Sequence, residues 1–186
     1  MLCPVPFLRT FLHPKLFEDR VFIMQNFSTD EIRHSFTNAS RSEVKAINFP
    51  ANFAELDWEQ LDYLGWRDPK MPQRGYLVFP ADTGLVGIAL RAPDGGSGKI
   101  RKIICDLCRD VRAETDVYLY VARKAGHAGR EGNTVGTLIC SDFRCSRNVR
   151  VELQPSQRHA DWETTRASQI ATLTERTAKF VERVTS

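Results

Sequence analysis

Apolar positions in the first third of the chain recur at helical spacing. Ile32, Phe36 and Ala39 line one face behind Ser28-Thr29-Asp30-Glu31. That tetrapeptide fits a capping box, in which Ser28 and Glu31 satisfy each other's backbone N–H groups. Ser40-Arg41-Ser42-Glu43 repeats the signal and predicts a second short helix, closed by Asn48-Phe49-Pro50 because the residue before proline avoids helix. Phe53, Leu56, Leu61 and Leu64 predict a third helix ended by Gly65, followed by a turn over Gly65-Trp66-Arg67-Asp68-Pro69. The period then becomes strand-like. Tyr76 to Phe79 and Leu85 to Leu90 flank Ala81-Asp82-Thr83-Gly84, which predicts a β-hairpin. Pro93 to Gly98 reads as a loop by composition. Val117 to Ala122 and Thr134 to Ile139 predict a second strand pair, joined by a glycine-rich loop from Arg123 to Asn133. From about Thr164 to Val184 the residues Ile170, Leu173, Thr177, Phe180 and Val184 form an amphipathic stripe that predicts a long helix capping the sheet. The expected fold class is α+β: N-terminal helices, an antiparallel sheet and a long C-terminal helix.

Composition narrows the class without naming a function. The 186 residues are 42% hydrophobic and 26% charged, ordinary usage for a globular domain. No apolar run approaches the ~18 residues of a membrane span. The 26 basic and 23 acidic residues leave a net charge of +3, too little to demand a nucleic-acid partner. Residues 1–23 carry the apolar groups Val5 to Leu8 and Phe11-Leu12. Arg9, His13, Pro14 and Lys15 interrupt them, and no Ala-x-Ala cleavage pattern follows. They are expected to form an extension ahead of a domain spanning 24–186, either disordered or upstream of a true initiator at Met24. The expected location is cytoplasmic. Cys3 is isolated and is given no role.

The other four cysteines carry the chemistry. Cys105 and Cys108 form a C-x2-C pair, and Cys140 and Cys145 form a C-x4-C pair, with a strand hairpin between them. Each pair can offer two thiolates from one tight turn, and the hairpin can bring the pairs together, as a tetrahedral zinc ion requires. Two disulfides would need an oxidising compartment. A redox pair would be a lone C-x-x-C opening a helix. Four thiolates close the coordination shell, which points to one structural zinc rather than a catalytic one. The four histidines, His13, His34, His127 and His159, begin no His-x-Glu, so the zinc deaminase signature is absent. The order of knuckle, hairpin and helix is that of a treble clef. Cys140 should end a strand, Asp142 should cap a helix and Cys145 should stand in its first turn. Lys102, Arg109, Arg144 and Arg147 could offset the −2 charge of a zinc ion with four thiolates.

Cys105-Asp106-Leu107-Cys108, the stretch Val121 to Thr137 and the stretch Cys140 to Arg150 resemble the FBP domain, the treble-clef zinc finger of elongation-factor-G-binding proteins of the fusidic-acid-resistance type. Gly65 to Pro69 and the final helix also resemble the single-domain actinobacterial members. The resemblance runs from about Met24 to the end and is most specific over Cys105 to Arg150. It implies a structural zinc and a domain that acts by binding, without turnover or a small-molecule substrate. The resistance proteins bind elongation factor G and help it leave a stalled ribosome. They also carry a separate helical bundle that has no match here.

Charge is uneven along the chain. Lys99 to Arg150 holds eleven basic and six acidic residues, a balance of +5, or +3 with the zinc centre included. Glu43 to Lys70 holds six acidic residues against Lys45, Arg67 and Lys70. Arg123, Lys124, His127 and Arg130 fall in the glycine-rich loop, and Arg144 and Arg147 near the last ligand. Arg123, Lys124, Arg130, Arg144 and Arg147 are candidate partner contacts, to an acidic protein face such as elongation factor G on the ribosome, or to ribosomal RNA. The loop equally fits a solvated hairpin end. A direct RNA- or DNA-binding finger is the alternative function. Asp57, Glu59 and Asp62 read as a solvated face rather than catalytic carboxylates, and Trp58, Trp66 and Trp162 as core anchors. Ser146 and His127 lack the acid and elbow of a nucleophile pair. No Gly-Lys-Ser or Gly-Lys-Thr marks a phosphate loop.

Overall fold

Both capping boxes form. Glu31 N donates to Ser28 Oγ at 3.2 Å while Ser28 N donates to Glu31 Oε2 at 2.8 Å, starting helix α1 (Thr29–His34). Ser40 and Glu43 repeat the exchange at the start of α2 (Arg41–Lys45). The computed structural model describes residues 24–82, 84–92, 103–110, 116–151 and 161–186. The 1–23 extension, Cys3 and the loop expected over Pro93 to Gly98 lie outside the described residues, as do Lys99, Arg101, Lys102 and Arg112.

The helix expected over Phe53 to Leu64 does not form. Two short 3₁₀ turns, Phe53–Glu55 and Trp58–Gln60, are each followed by an extended leucine, Leu56 and Leu61. The five-residue step from Leu56 to Leu61 breaks the 3.6-residue stripe, so no continuous apolar face exists to bury. The turn expected at Gly65 is instead strand β1 (Leu64–Arg67), which pairs antiparallel with β2 (Arg74–Ala81). Asp68 makes the turn between them. It accepts from the backbone N–H groups of Lys70 at 2.8 Å and Met71 at 3.0 Å, and from the Tyr76 hydroxyl at 3.1 Å.

The hairpin of β2 and β3 (Gly84–Arg91) forms as expected, as does the pair of β4 (Val117–Arg123) and β5 (Thr134–Cys140). Together the strands make an antiparallel meander in the order β1-β2-β3-β4-β5. Side chains alternate between its two faces, as the pleat requires. Leu64, Trp66, Tyr76 and Val78 face the N-terminal layer with Met24, Ile32 and Ile47. Tyr63, Leu77, Phe79, Ile88 and Leu90 face the opposite core. That core is closed by α5 (Trp162–Thr185), whose Leu173, Thr177, Phe180 and Val184 are buried along the expected stripe. Trp66 and Trp162 are buried, and Trp58 packs on the N-terminal layer.

β3 and β4 share only the pairs Leu90↔Ala122 and Arg91↔Val121. Beyond that pairing, residues 35–38 meet the edge of β3 at Gly87 and Ala89. Gly87 N donates to Ser35 O at 2.9 Å, and Thr37 N donates to Gly87 O at 3.1 Å. Asn38 spans the gap between the strands. Its Nδ2 donates to Ala89 O at 3.0 Å and Arg123 O at 2.8 Å, and its Oδ1 accepts from Ala89 N at 2.8 Å. The Arg123 to Asn133 connection contains a short helix, α3 (Gly126–Arg130), rather than loop throughout. Ala125 N donates to Val184 O at 2.8 Å, tying this end of the hairpin to the last turn of α5.

Candidate metal centre

Asp106 lays the first cysteine pair against the sheet. Its backbone N–H donates to Leu138 O at 2.8 Å, and its Oδ2 accepts from Leu138 N at 2.9 Å. Arg109 then turns back with φ +53° and donates to Cys105 O at 3.0 Å. Leu107 is buried, and Arg176 of α5 donates to its carbonyl at 3.4 Å. The second pair is shaped by Phe143. Its N–H donates to Cys140 O at 2.9 Å, and its φ of +59° reverses the chain between Cys140, the last residue of β5, and Cys145, the first residue of α4 (Cys145–Val149). A left-handed backbone at a bulky residue is unfavourable and needs surrounding packing to hold it. The Phe143 ring supplies that packing, 4.8 Å from the ring of Tyr120 and over the glycines of β1 and β2.

These two turns bring together the four cysteines singled out from their spacing. The four sulfurs lie within 4.8 Å of one another, and all four residues are buried. Cys105 Sγ is 3.6 Å from Cys145 Sγ, and Cys108 Sγ is 3.7 Å from Cys140 Sγ. A disulfide needs sulfurs about 2.05 Å apart. A tetrahedron with zinc–sulfur bonds of about 2.3 Å has sulfur–sulfur edges of about 3.8 Å, so the cage fits one zinc ion. The donor set is all sulfur, as expected of a structural zinc site.

Hydrogen bonding around the cage was not visible in the cysteine spacing. Asn148, one turn into α4, donates from Nδ2 to Cys140 Sγ at 3.5 Å and also faces Cys108 Sγ at 4.0 Å. Hydrogen bonds from Cys108, Cys140 and Cys145 hold the Cys105 thiol below the usual range, while the bond to Cys105 pushes Cys140 and Cys145 up. A dication held by the four sulfurs would favour the thiolate at every position. Tyr63 closes the inner side. Burial first, then the neighbouring Cys145, raises its hydroxyl well above the usual range, and it donates to Phe143 O at 3.3 Å.

The helix cap expected from Asp142 is absent. Asp142 Oδ1 accepts from Arg144 N at 3.2 Å, and no side chain caps α4. The reversal at Phe143 separates Asp142 from the first turn. Asp62 also departs from expectation. It is 6% exposed, not on a solvated face, and its carboxylate takes both Nη1 and Nη2 of Arg150. Ser146 Oγ accepts from Asp62 N at 3.0 Å, so this serine is committed to the fold.

The five candidate partner contacts divide into two groups. Arg144 and Arg147 are exposed on and beside α4, next to the cage, with Arg144 Nε 3.1 Å from Asp142. Arg123, Lys124 and Arg130 lie at the other end of β4 and β5, six strand steps or roughly 20 Å from Cys140. The zinc site therefore does not hold the Arg123 to Asn133 segment directly; Asn38 and α5 do. Arg123 is paired with Glu43 at 3.3 Å. With Asp62–Arg150, this means that the acidic and basic stretches of the chain neutralise each other at two places.

No curated protein matches the chain. The profile of the FBP C-terminal treble-clef zinc-finger matches residues 31–184, well over half of the 186 residues. Among the described residues no helix is long and apolar enough to cross a membrane. The match spans the meander, the four-sulfur cage and all but the last residue of α5, and the chain belongs to the FBP C-terminal treble-clef zinc-finger family.

Proposed function

We propose that this zinc-binding domain is a docking module that performs no turnover, and that its partner is elongation factor G on or near the ribosome. The reading rests on the buried, all-sulfur cage, whose donor set completes a tetrahedral shell. Zinc bound there supplies cross-linking energy and fixes the relative positions of the knuckle, β5 and α4. The chain's own contribution is the surface so fixed. Arg144 and Arg147 project beside the cage, and Arg147 makes no ion pair with another described residue. Exposed guanidiniums on a rigid support suit recognition of carboxylates on a protein surface. The identity of the partner comes from resemblance to the family's resistance proteins, and the cytoplasm is the compartment that partner requires.

Isolated elongation factor G, free of nucleic acid, tests the reading by titration calorimetry with the zinc-loaded chain. Binding that weakens at least about tenfold in the double variant Arg144→Glu/Arg147→Glu is expected. No binding to the isolated factor overturns it. The second reading, direct RNA or DNA binding, is favoured by the exposed Arg130 and Arg147 and the half-buried Lys124. It requires an affinity for naked RNA that falls steeply with salt and drops in Arg130→Glu at every sequence.

A further inference from the structure

A second site lies on the opposite face of the sheet. Arg74 and Arg91 stand directly opposite each other across β2 and β3. Val121 pairs with Arg91, and Arg123 lies two residues further along β4, hence on the same face. Like charges placed directly opposite in a sheet are unfavourable. Among the described residues that line the space beside this group, Glu43 alone carries a carboxylate. Glu43 Oε1 accepts from Arg123 at 3.3 Å, and Oε2 is committed to Ser40 in the capping box. Arg74 and Arg91 form no ion pair with another described residue. Three guanidiniums thus share one acid around a cavity of about 120 Å³.

The cavity walls are apolar. Ile47, Tyr76, Ala89 and Val121 line it, and the Tyr76 hydroxyl, which Arg74 neighbours, donates to Asp68. Asn38, at its edge, spends its amide on the backbones of β3 and β4. The charged groups left to meet a ligand are therefore guanidiniums at the rim, above an apolar floor. At this size the cavity is below the roughly 300–1,000 Å³ of drug-sized sites, too small for a nucleotide.

We propose that this cavity binds a compact organic carboxylate, its acid group bridging Arg74 and Arg91 and its short apolar body against Ile47, Tyr76 and Val121. A guanidinium fork matches the two oxygens of a carboxylate. A bare inorganic anion would satisfy the rim and leave the floor to water. The site is independent of the zinc cage and of the partner proposed above.

The test is calorimetric titration of the full zinc-loaded chain with 4-methylpentanoate, with its primary amide and with inorganic phosphate, on the parent and on Arg91→Leu. Arg91 is exposed, so its replacement should leave the melting curve in place. The acid should bind at least about tenfold more tightly than the amide or phosphate, and Arg91→Leu should lose at least about tenfold for the acid alone. Equal binding of acid and amide would remove the charge from the account. Phosphate binding as tightly as the acid would remove the apolar floor. No binding of the acid at about 10 mM, or unchanged binding in Arg91→Leu, would overturn the site.

Discussion

Asp62 and Arg150 lock the start of β1 to the end of α4. Arg150 Nη2 donates to Asp62 Oδ1 at 3.0 Å, Nη1 donates to Oδ2, and Nη1 also donates to Ser146 O at 3.0 Å. The Asp62 side chain is 6% exposed and that of Arg150 20%. Removing one partner leaves a nearly buried charge unpaired, which costs roughly 3–5 kcal/mol when burial is complete and less at this exposure. Arg150→Ala should therefore lose about 2–3 kcal/mol in urea unfolding. The double variant Asp62→Ala/Arg150→Ala should lose less than the sum of the two single changes. Additive losses would show that the pair is not coupled.

Phe143 makes Gly65 irreplaceable. A Cβ at Gly65 would lie 2.7 Å from Phe143 Cδ1 and 2.8 Å from Tyr63 Cε2, closer than real contacts allow. Gly65→Ala should cost about 1–3 kcal/mol by overpacking. Because Phe143 lies between Cys140 and Cys145, the same change should speed zinc transfer to a chelating dye. Unchanged zinc release would mean that the Phe143 slot does not support the cage.

Asp68 and Tyr76 predict the pH limits of the N-terminal layer. Burial raises the Asp68 carboxyl, but hydrogen bonds from Asn48, Lys70, Met71 and Tyr76 outweigh it and leave it below the ordinary value of 3.8. The stability from this lowered group is present above that value and is lost as pH falls below it. Burial, then the charge on Asp68, pushes Tyr76 up to about 12 from 10.0. The stability from this raised group is full below pH 10 and is lost as pH rises towards 12. Melting temperature should fall at both limits, and Tyr76→Phe should flatten the alkaline limb. An unchanged alkaline limb in that variant would contradict the assignment.

Zinc removal should disrupt the α5-side core, which includes all four cysteines. Structural zinc contributes roughly 10–16 kcal/mol in finger peptides, comparable to the whole net stability of a domain at about 5–15 kcal/mol. Chelation, or Cys140→Ser, should abolish the near-ultraviolet circular dichroism and the cooperative melt of this region. A normal melting curve in Cys140→Ser would contradict a structural metal.

Much of this architecture is written locally. Ser28 with Glu31 and Ser40 with Glu43 are exchanges over three residues, the stripe from Ile170 to Val184 needs only helical spacing, and the cysteine pairs need only tight turns and a hairpin. What was illegible depends on distant partners. β1 looked like a helix end because Gly65 usually breaks structure; its strand conformation makes sense only beneath the Phe143 ring. α3 forms although its Gly126 and Gly129 disfavour helix, because its flanks are held by Val184 O and Asn133. Asp62 finds Arg150 across 88 residues, and Asn148 finds Cys108 across 40. Neither pairing has a spacing signature. The arginines opposed across β2 and β3 were likewise invisible until the register was known.

Zinc K-edge X-ray absorption on the purified chain, combined with metal analysis, measures the cage itself. One zinc per chain with four sulfurs at about 2.3 Å, and no nitrogen or oxygen neighbour, is the expected result. A shell in which any sulfur is replaced by water, or a chain that binds no stoichiometric zinc, would contradict the closed cage on which the docking role rests.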